Sequence, residues 1–178
     1  MDLLTGKLAA ERIQGMLNPK FQVQRFAVDL SVKAVYVIDP VGQVDFGGSE
    51  YKPAGKVKVA SIRRNREDRY EWWDLGRGCY FVEFNESLAL GDDEFAVVEP
   101  DERLLRAGAT HGTMFLRGRV TPLEALMEVD IVRLQVKQNA RISRVRVFRF
   151  LSKPAAAGPA ASAAAKAPAK KAAKKRAK

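Results

Sequence analysis

Apolar and polar residues alternate over most of the chain between Val28 and Phe150. This alternation has the period of a β-strand that turns one face to a core and the other to solvent. Seven segments are alternating or continuously apolar: Val28–Ile38, Cys79–Phe84, Glu94–Glu99, Thr113–Val120, Leu123–Val129, Ile131–Val136 and Ile142–Phe150. Turn sequences such as Gly91-Asp92-Asp93 separate them. Many short strands at this spacing predict a mainly β domain of sandwich, barrel or jelly-roll type.

The remaining segments predict a few other elements. Thr5–Leu17 carries apolar residues on or near one helical face, with Thr5 as N-cap, and Asn18-Pro19 ends this helix. Pro100–Arg106 predicts a short helical turn. The polar, glycine-containing stretch Gln43–Arg69 predicts a long hairpin or excursion, and Gly76-Arg77-Gly78 is predicted to open the strand that follows it.

The composition changes sharply near residue 152. The last segment, 153–178, consists mostly of Ala, Lys and Pro and contains eight Lys or Arg residues and no acid. Removing these eight from the 31 basic residues leaves 23 against 21 acidic residues, so the β domain, 1–152, has a net charge of +2. A segment without large apolar side chains cannot offset its conformational entropy and is predicted to be disordered. It is either a non-specific nucleic-acid-binding tail or a solubility extension without a dedicated partner.

The scarcity of two residue types excludes one class of enzyme. The chain has one cysteine, Cys79, and one histidine, His111, which together cannot supply the three or four ligands of a zinc site. Zinc-dependent nucleobase deaminases are therefore excluded. Cys79 lies in an apolar run and is predicted to be a buried, inert thiol. No stretch of about 18 apolar residues and no secretory signal occur, so we expect a soluble, cytoplasmic protein without a membrane partner.

Four segments, in order, resemble motifs of the dUTPase/dCTP deaminase superfamily. They are Gln24–Leu30, Gly78–Phe84, Glu94–Pro100 with Leu104-Leu105-Arg106, and Ala140–Val145. The resemblance implies a distorted β-jelly roll, or β-clip, that assembles as a homotrimer with active sites between subunits. It also implies action on a deoxypyrimidine nucleoside triphosphate, with Mg²⁺ held through the nucleotide phosphates and no zinc.

The chain departs from this family at two of its motifs. Asp101-Glu102-Arg103 occupies the position of the family's phosphate-binding R-S-S motif, where two acids would repel phosphate unless a cation intervened. The carboxylate that activates water falls on Leu116, which cannot accept a proton. A shift of register by a few residues would place Glu124 or Glu128 in that role instead. The glycine-rich segment that closes over nucleotide in many relatives is absent.

The candidate catalytic residues are Asp101, Glu102 and His111. Asp101 and Glu102, with Asp92, Asp93 and Glu94 upstream, would hold Mg²⁺ that bridges a triphosphate, or else they are turn residues facing water. His111 would be a general base or a structural hydrogen-bonding group.

The candidate substrate-binding residues are four arginines, because guanidinium groups bind phosphate through two parallel hydrogen bonds: Arg103, Arg106, Arg117 and Arg119. They would otherwise form a solvated or salt-bridged face. Asp29, on the polar face of its strand, is predicted to be structural. Trp72-Trp73 is predicted to be a core or interface anchor, with stacking on a base as the alternative.

Two functional hypotheses remain open. The first is an enzyme that hydrolyses dUTP to dUMP and pyrophosphate, or deaminates dCTP. The second is a catalytically degenerate trimer that senses nucleotide or acts as a scaffold, tethered to nucleic acid by its basic tail. The family resemblance favours the first, and Leu116 with Asp101-Glu102-Arg103 favours the second.

Overall fold

The structure is a computed structural model that describes residues 1–39 and 41–151. The predicted cationic tail, 153–178, lies outside the described residues. None of the helices in the described part is long and apolar enough to cross a membrane.

The described chain contains twelve strands and three short helices. In chain order they are β1 (Asp2–Leu3), α1 (Gly6–Ala10), β2 (Ile13–Gln14), α2 (Pro19–Gln22), β3 (Val28–Ile38), β4 (Lys56–Lys58), β5 (Trp72–Phe84), β6 (Ser87–Ala89), β7 (Glu94–Pro100), α3 (Glu102–Arg106), β8 (Ala109–His111), β9 (Met114–Leu116), β10 (Arg119–Val120), β11 (Glu124–Lys137) and β12 (Arg141–Arg149). The prediction of a mainly β domain is therefore confirmed.

Two antiparallel sheets form the domain. The large sheet has the order β8-β11-β5-β3-β12-β7-β9, with β1 added to β12 and β4 added to β3. The small sheet has the order β10-β6-β2. The large sheet curls into a half-barrel. Alternate residues of its long strands point inward, and the core they form includes Val28, Leu30, Val82, Met127 and Val145.

The first helix is shorter than predicted. Thr5 does cap α1, accepting a hydrogen bond from the Leu8 amide at 3.5 Å, but the helix ends at Ala10 instead of Leu17. Ile13 lies outside the helix because its side chain is buried and its backbone pairs with Leu88 of β6. Gly15 then takes a positive φ of 82°, which a helix does not allow. Pairing with a distant strand thus outweighs the local helical pattern.

Three predicted strands differ in their boundaries. Thr113–Val120 is divided into β9 of the large sheet and β10 of the small sheet. The other two differences lie in β5 and β11. Strand β5 begins at Trp72 and runs through Gly76 and Gly78, so these glycines do not open the strand. The segments Leu123–Val129 and Ile131–Val136 form one strand, β11. Both differences have one cause, because β11 inserts extra residues between Val129 and Arg133 opposite the two glycines. This is a β-bulge, which keeps the strands paired across an irregular sequence.

The orientation of two side chains contradicts the sequence pattern. Cys79 is exposed, because it shares the outer face of β5 with Phe81 and Glu83 while Val82 points inward. Asp29 is 1% exposed and Ser31 is 2% exposed, so the first part of the polar face of β3 does not face water. Hydrogen-bonding groups from other elements cover that face.

The N-terminal segment is attached to the sheet through the buried carboxylate of Glu94. Its oxygens accept hydrogen bonds from Arg12 Nη2 at 2.9 Å and from Arg149 Nη2 at 2.7 Å. Burial alone would raise the pKa of Glu94, but the bonds from Arg12 and Arg149 outweigh burial and lower it from 4.5 to about 2. Glu94 therefore belongs to an internal ion pair, whereas the sequence predicts an exposed turn residue or a Mg²⁺ ligand.

This ion pair should make folding stability depend on acidity. Because the folded-state pKa of Glu94 is depressed, its contribution is complete above pH 4.5 and is lost as the pH falls through about 2. This shift in pKa corresponds to at most about 3 kcal/mol of folding stability. We expect Glu94→Gln to remove this part of the pH dependence when urea unfolding is measured between pH 7 and pH 3. If the free energy of unfolding of the variant depended on pH as steeply as that of the parent, Glu94 would not be the group responsible.

Candidate functional site

Helix α3 is positioned by Asp101, which is its N-cap. The Asp101 carboxylate accepts a hydrogen bond from the Arg103 amide at 3.0 Å, as capping aspartates do. The same Oδ1 accepts from Arg103 Nε at 2.8 Å, and Oδ2 accepts from Arg144 Nη2 at 2.8 Å. The residues that replace the R-S-S motif thus include an acid that is neutralised within the chain.

A second buried carboxylate, Asp29, lies beside the first. Its Oδ2 is 3.0 Å from Arg141 Nη1 and 3.7 Å from Arg103 Nη2, and its Oδ1 is 3.3 Å from Arg144 Nε. Asp29 and Asp101 together with these three arginines form what we call the carboxylate–arginine cluster. Two acids and three cations leave it with one net positive charge. Since the Arg103 side chain is 56% exposed, part of that charge is available to an anion.

The cluster keeps Asp101 ionised. Burial would raise the pKa of Asp101, but the hydrogen bonds and charge of Arg103, together with the charge of Arg144, outweigh burial and lower it. Both carboxylate oxygens already accept hydrogen bonds from arginine. A carboxylate with a low pKa and no free oxygen is a poor acceptor for a proton from water.

The next two predicted residues lie on the exposed side of α3. The Glu102 and Arg106 side chains are 70% and 79% exposed and form an ion pair at 2.5 Å. A pair this open to solvent can separate at little cost when a phosphate or a metal ion arrives. Glu102 and Arg106 are therefore accessible to a ligand, whereas Asp101 is not.

His111 is buried, with both ring nitrogens in hydrogen bonds. Nδ1 lies 2.8 Å from the Gly112 carbonyl oxygen and Nε2 lies 2.8 Å from Ser143 Oγ. Because a carbonyl only accepts, Nδ1 carries the proton and Nε2 accepts from the Ser143 hydroxyl. Burial lowers the pKa of His111, and the bond to Gly112 opposes this only in part. The ring is thus a neutral link between β8 and β12.

Arg117 and Arg119 lie apart from the other predicted residues. Arg117 flanks the tight turn at Gly118 and donates to the Asp92 carbonyl at 3.3 Å, and Arg119 pairs with Ala89 in the small sheet. In the described residues no hydrogen bond or ion pair joins either one to the carboxylate–arginine cluster. Within one subunit, the predicted phosphate-binding arginines therefore lie in two separate groups.

The outer face of β11 carries the two carboxylates that a register shift would bring into the site. Ala125, Met127 and Val129 point inward, so Glu124 and Glu128 point outward. Glu124 is neutralised by Lys56 Nζ at 2.6 Å. Glu128 is exposed and forms no ion pair with another described residue.

Glu128 has polar, thiol-bearing and apolar neighbours on the outer face of the sheet. In the sheet it is opposite Thr110 on one side and Cys79 on the other. On its own strand, Leu126 on the same face is 49% exposed, an apolar surface beside a free carboxylate. Helix α3 leads into β8 through Ala107 and Gly108, so Arg106 precedes Thr110 by a single short turn.

Further along this outer face, a charged group occupies β3 and β5. The Tyr36 hydroxyl donates to Glu83 at 2.7 Å, and Lys33 Nζ is 2.6 Å from the same carboxylate. The hydrogen bond to Glu83 raises the pKa of Tyr36 to about 12. Burial would raise the pKa of Glu83, but Lys33 and Tyr36 outweigh it and lower it. Glu83, like Glu124, is therefore committed to partners within the chain.

The chain is similar to several curated archaeal proteins. It is 29% identical over 145 residues to a probable deoxyuridine 5'-triphosphate nucleotidohydrolase of Methanosarcina acetivorans, covering 79% of this chain and 80% of the relative. A protein of the same name from Archaeoglobus fulgidus is 29% identical over 147 residues, which are 80% of each chain. No family model matches the chain.

A solved structure has the same fold. The 2'-deoxycytidine 5'-triphosphate deaminase of Agrobacterium tumefaciens superposes with a TM-score of 0.59 at 17% sequence identity. The match covers 83% of this chain and 48% of the deaminase, so the chain spans about half the length of that protein. The chain is therefore similar in sequence to proteins named as dUTP nucleotidohydrolases and shares its fold with a dCTP deaminase.

This structural likeness confirms the predicted fold class. Sequence reasoning assigned Arg103 to phosphate and a structural role to Asp29, but it did not assign Arg141 and Arg144, which complete the cluster. A signal for them was present, because both lie in the segment that resembles a late superfamily motif. Arg144 is directly opposite Asp29 in the register of β12 and β3.

Proposed function

We propose that the chain hydrolyses a deoxypyrimidine nucleoside triphosphate, with dUTP as the substrate and dUMP and pyrophosphate as the products. The similarity to archaeal proteins named probable deoxyuridine 5'-triphosphate nucleotidohydrolase, over about four fifths of both chains, carries this proposal. The structural likeness to a dCTP deaminase supports the same fold, and deamination of dCTP is the reaction that the test must separate.

Glu128 is the carboxylate that would take the proton from the attacking water. It is exposed, free of an ion pair in the described chain and fixed on a long paired strand, so its oxygens are available to a bound water. Asp101 and His111 are less suited to this step, because hydrogen bonds occupy both oxygens of Asp101 and both ring nitrogens of His111. Leu126 would contact the base or sugar.

The phosphates would be bound by the exposed arginines Arg103 and Arg106. Arg103 is held by Asp101 and Asp29, which orients its guanidinium group before substrate arrives. Arg106 would exchange its exposed partner, Glu102, for phosphate oxygens. Arg117 and Arg119 would contribute from a second position around the triphosphate.

Magnesium would enter this site with the nucleotide. The described residues contain no group of three or more His, Cys, Asp or Glu side chains placed to hold a metal. The proposed ion would keep water and triphosphate oxygens as its main ligands, and the chain would supply at most one exposed carboxylate, such as Glu102. Bound there, Mg²⁺ would neutralise phosphate charge.

A homotrimer would bring the two arginine groups together. Within one subunit, Arg117 and Arg119 do not contact the cluster that contains Arg103, and a site between subunits removes this separation. Exposed apolar side chains next to the same elements support an interface: Leu105 on α3 is 50% exposed, Phe115 on β9 is 73% exposed and Val132 on β11 is 84% exposed. A monomer by light scattering would contradict this arrangement.

Release of pyrophosphate tests the function directly. We expect the purified chain to release pyrophosphate from dUTP in the presence of Mg²⁺ and to lose this activity when EDTA removes the metal. dCTP offered separately, with the base identified by chromatography, distinguishes hydrolysis from deamination. Turnover of neither nucleotide by the folded trimer would overturn the proposal and leave a nucleotide sensor or scaffold as the function.

A further inference from the structure

Two adjoining grooves lie on the surface where the β11–β12 hairpin meets α2 and α3. Their volumes are about 380 Å³ and about 410 Å³, and Asn139 and Arg141 line both. Phe21 and Tyr70 form walls of the first, and Trp72 and Lys137 line the second. These six residues define what we call the aromatic groove. Each half has the volume of a small-molecule site, so each can accommodate one nucleotide unit.

The aromatic side chains of this groove remain accessible. Phe21 is 59% exposed and Tyr70 is 39% exposed, although soluble proteins usually bury rings of this size. Trp72 is half-buried, in contrast to its neighbour Trp73, which is 3% exposed and belongs to the core. The Trp72-Trp73 pair is thus divided between a core anchor and a surface ring.

Two cations at the groove, Lys137 and the neighbouring Arg64, lie against these rings, whereas Arg141 is already paired with Asp29. Lys137 Nζ is 5.0 Å from the Tyr70 ring centre and 5.5 Å from that of Trp72. The Arg64 guanidinium group stacks on Trp72 at 3.6 Å and donates to the amide of Gln135. Neither cation forms an ion pair with another described residue. Most other basic side chains of the sheet do have such a partner, as Arg133 has Asp74.

Cations next to aromatic rings suit a ligand that combines negative charge with flat rings. Single-stranded nucleic acids are such ligands, because their bases stack on aromatic or guanidinium planes and their phosphates contact Lys and Arg. The neighbouring loop, residues 63–69, contains four arginines and two acids, so its net charge is positive. We propose that the aromatic groove binds single-stranded nucleic acid, with bases on Tyr70 and Phe21 and phosphates on Lys137 and Arg64.

This site differs from the proposed nucleotide-hydrolysing site. Glu128, Leu126, Arg106, Arg117 and Arg119 do not line the groove. Arg103 borders both regions, and Arg141 lines the groove as a member of the carboxylate–arginine cluster. The continuity of two nucleotide-sized halves favours a strand of linked nucleotides over a single free nucleotide. The inference therefore stands independently of whether the chain hydrolyses dUTP.

The two tryptophans supply a reporter that is local to the groove, because the chain has no others. We expect an oligothymidylate of about ten nucleotides to quench tryptophan emission of the full chain. At about 0.3 M salt, where purely ionic binding is weak, Tyr70→Leu and Lys137→Gln should each weaken binding about tenfold. Turnover of dUTP should be unchanged in both variants.

Matched controls separate the groove from general charge and hydrophobicity. Tyr51→Leu removes a ring that is 60% exposed outside the groove, and Lys7→Gln removes one exposed charge from α1. Both should bind as the parent does, and thermal unfolding should show all four variants to be folded. Oligothymidylate binding without quenching, or equal losses in all four variants, would overturn the proposal. Equal affinity for thymidine monophosphate would overturn the assignment to a strand.

Discussion

Glu128→Gln is expected to lower kcat for dUTP hydrolysis by a factor of about 10² to 10⁴, which is the usual contribution of a general base. Glutamine keeps the size and most of the hydrogen bonding of the side chain but cannot accept a proton from water. Since Glu128 is exposed and unpaired in the described chain, the variant should fold normally. The KM for dUTP should change little, because phosphate binding depends on arginines elsewhere.

Two other carboxylates serve as controls for this prediction. Glu124→Gln changes the same face of the same strand but removes a carboxylate that Lys56 already neutralises. Glu102→Gln changes the exposed carboxylate of α3, which is paired with Arg106. Glu124→Gln should be nearly as active as the parent when pyrophosphate release is measured under single-turnover and steady-state conditions. If Glu102→Gln alone abolished turnover, Glu128 would not be the base, and the acidic replacement of the R-S-S motif would be catalytic.

Motif alignment and the fold give Leu116 and Glu128 different surroundings. Aligned by its glycines, the chain places leucine at the position of the water-activating carboxylate, which suggests an inactive protein. In the fold, Leu116 belongs to β9 and pairs with Ala96, whereas Glu128 lies on the open face of β11. Strand register, which depends on long-range pairing, decides which carboxylate faces a ligand.

The strands themselves were predictable because their patterns are strong. Val28–Ile38 and Ile142–Phe150 were identified to within a residue or two, since burial of alternate side chains requires apolar residues at those positions. Failures occurred where distant residues change the environment. Asp29 alternates with apolar neighbours, as a solvent-facing residue would, yet arginines more than a hundred positions later in the sequence cover it. Short-range patterns do not contain that information.

The same limit applies to the candidate site. The sequence identified residue types that can bind phosphate, and Arg103 and Arg106 are indeed accessible. It did not distinguish Asp101, a neutralised cap, from Glu102, an exposed carboxylate, although the two are adjacent. Only the hydrogen bonds from Arg103 and Arg144 separate their chemistry.

Asp29→Asn is expected to destabilise the chain by about 3 to 5 kcal/mol, the cost of removing one partner from a buried ion pair. Asparagine has nearly the same shape, so the loss is electrostatic. Without Asp29, the guanidinium groups of Arg103, Arg141 and Arg144 would face each other with Asp101 as the sole acid among them. Urea unfolding at neutral pH measures the change in the free energy of unfolding.

A surface pair and a double variant make this prediction specific. Asp74→Asn breaks the exposed pair with Arg133 and should change stability little, because water screens both charges. Asp29→Asn combined with Arg141→Gln should be less destabilised than the two single changes together, because the second removes a cation that the first leaves uncompensated. Strict additivity would show that Arg141 and Asp29 do not interact. In Asp29→Asn, Arg103 also loses an orienting partner, so a higher KM for dUTP at unchanged kcat would link the stability of the cluster to phosphate binding.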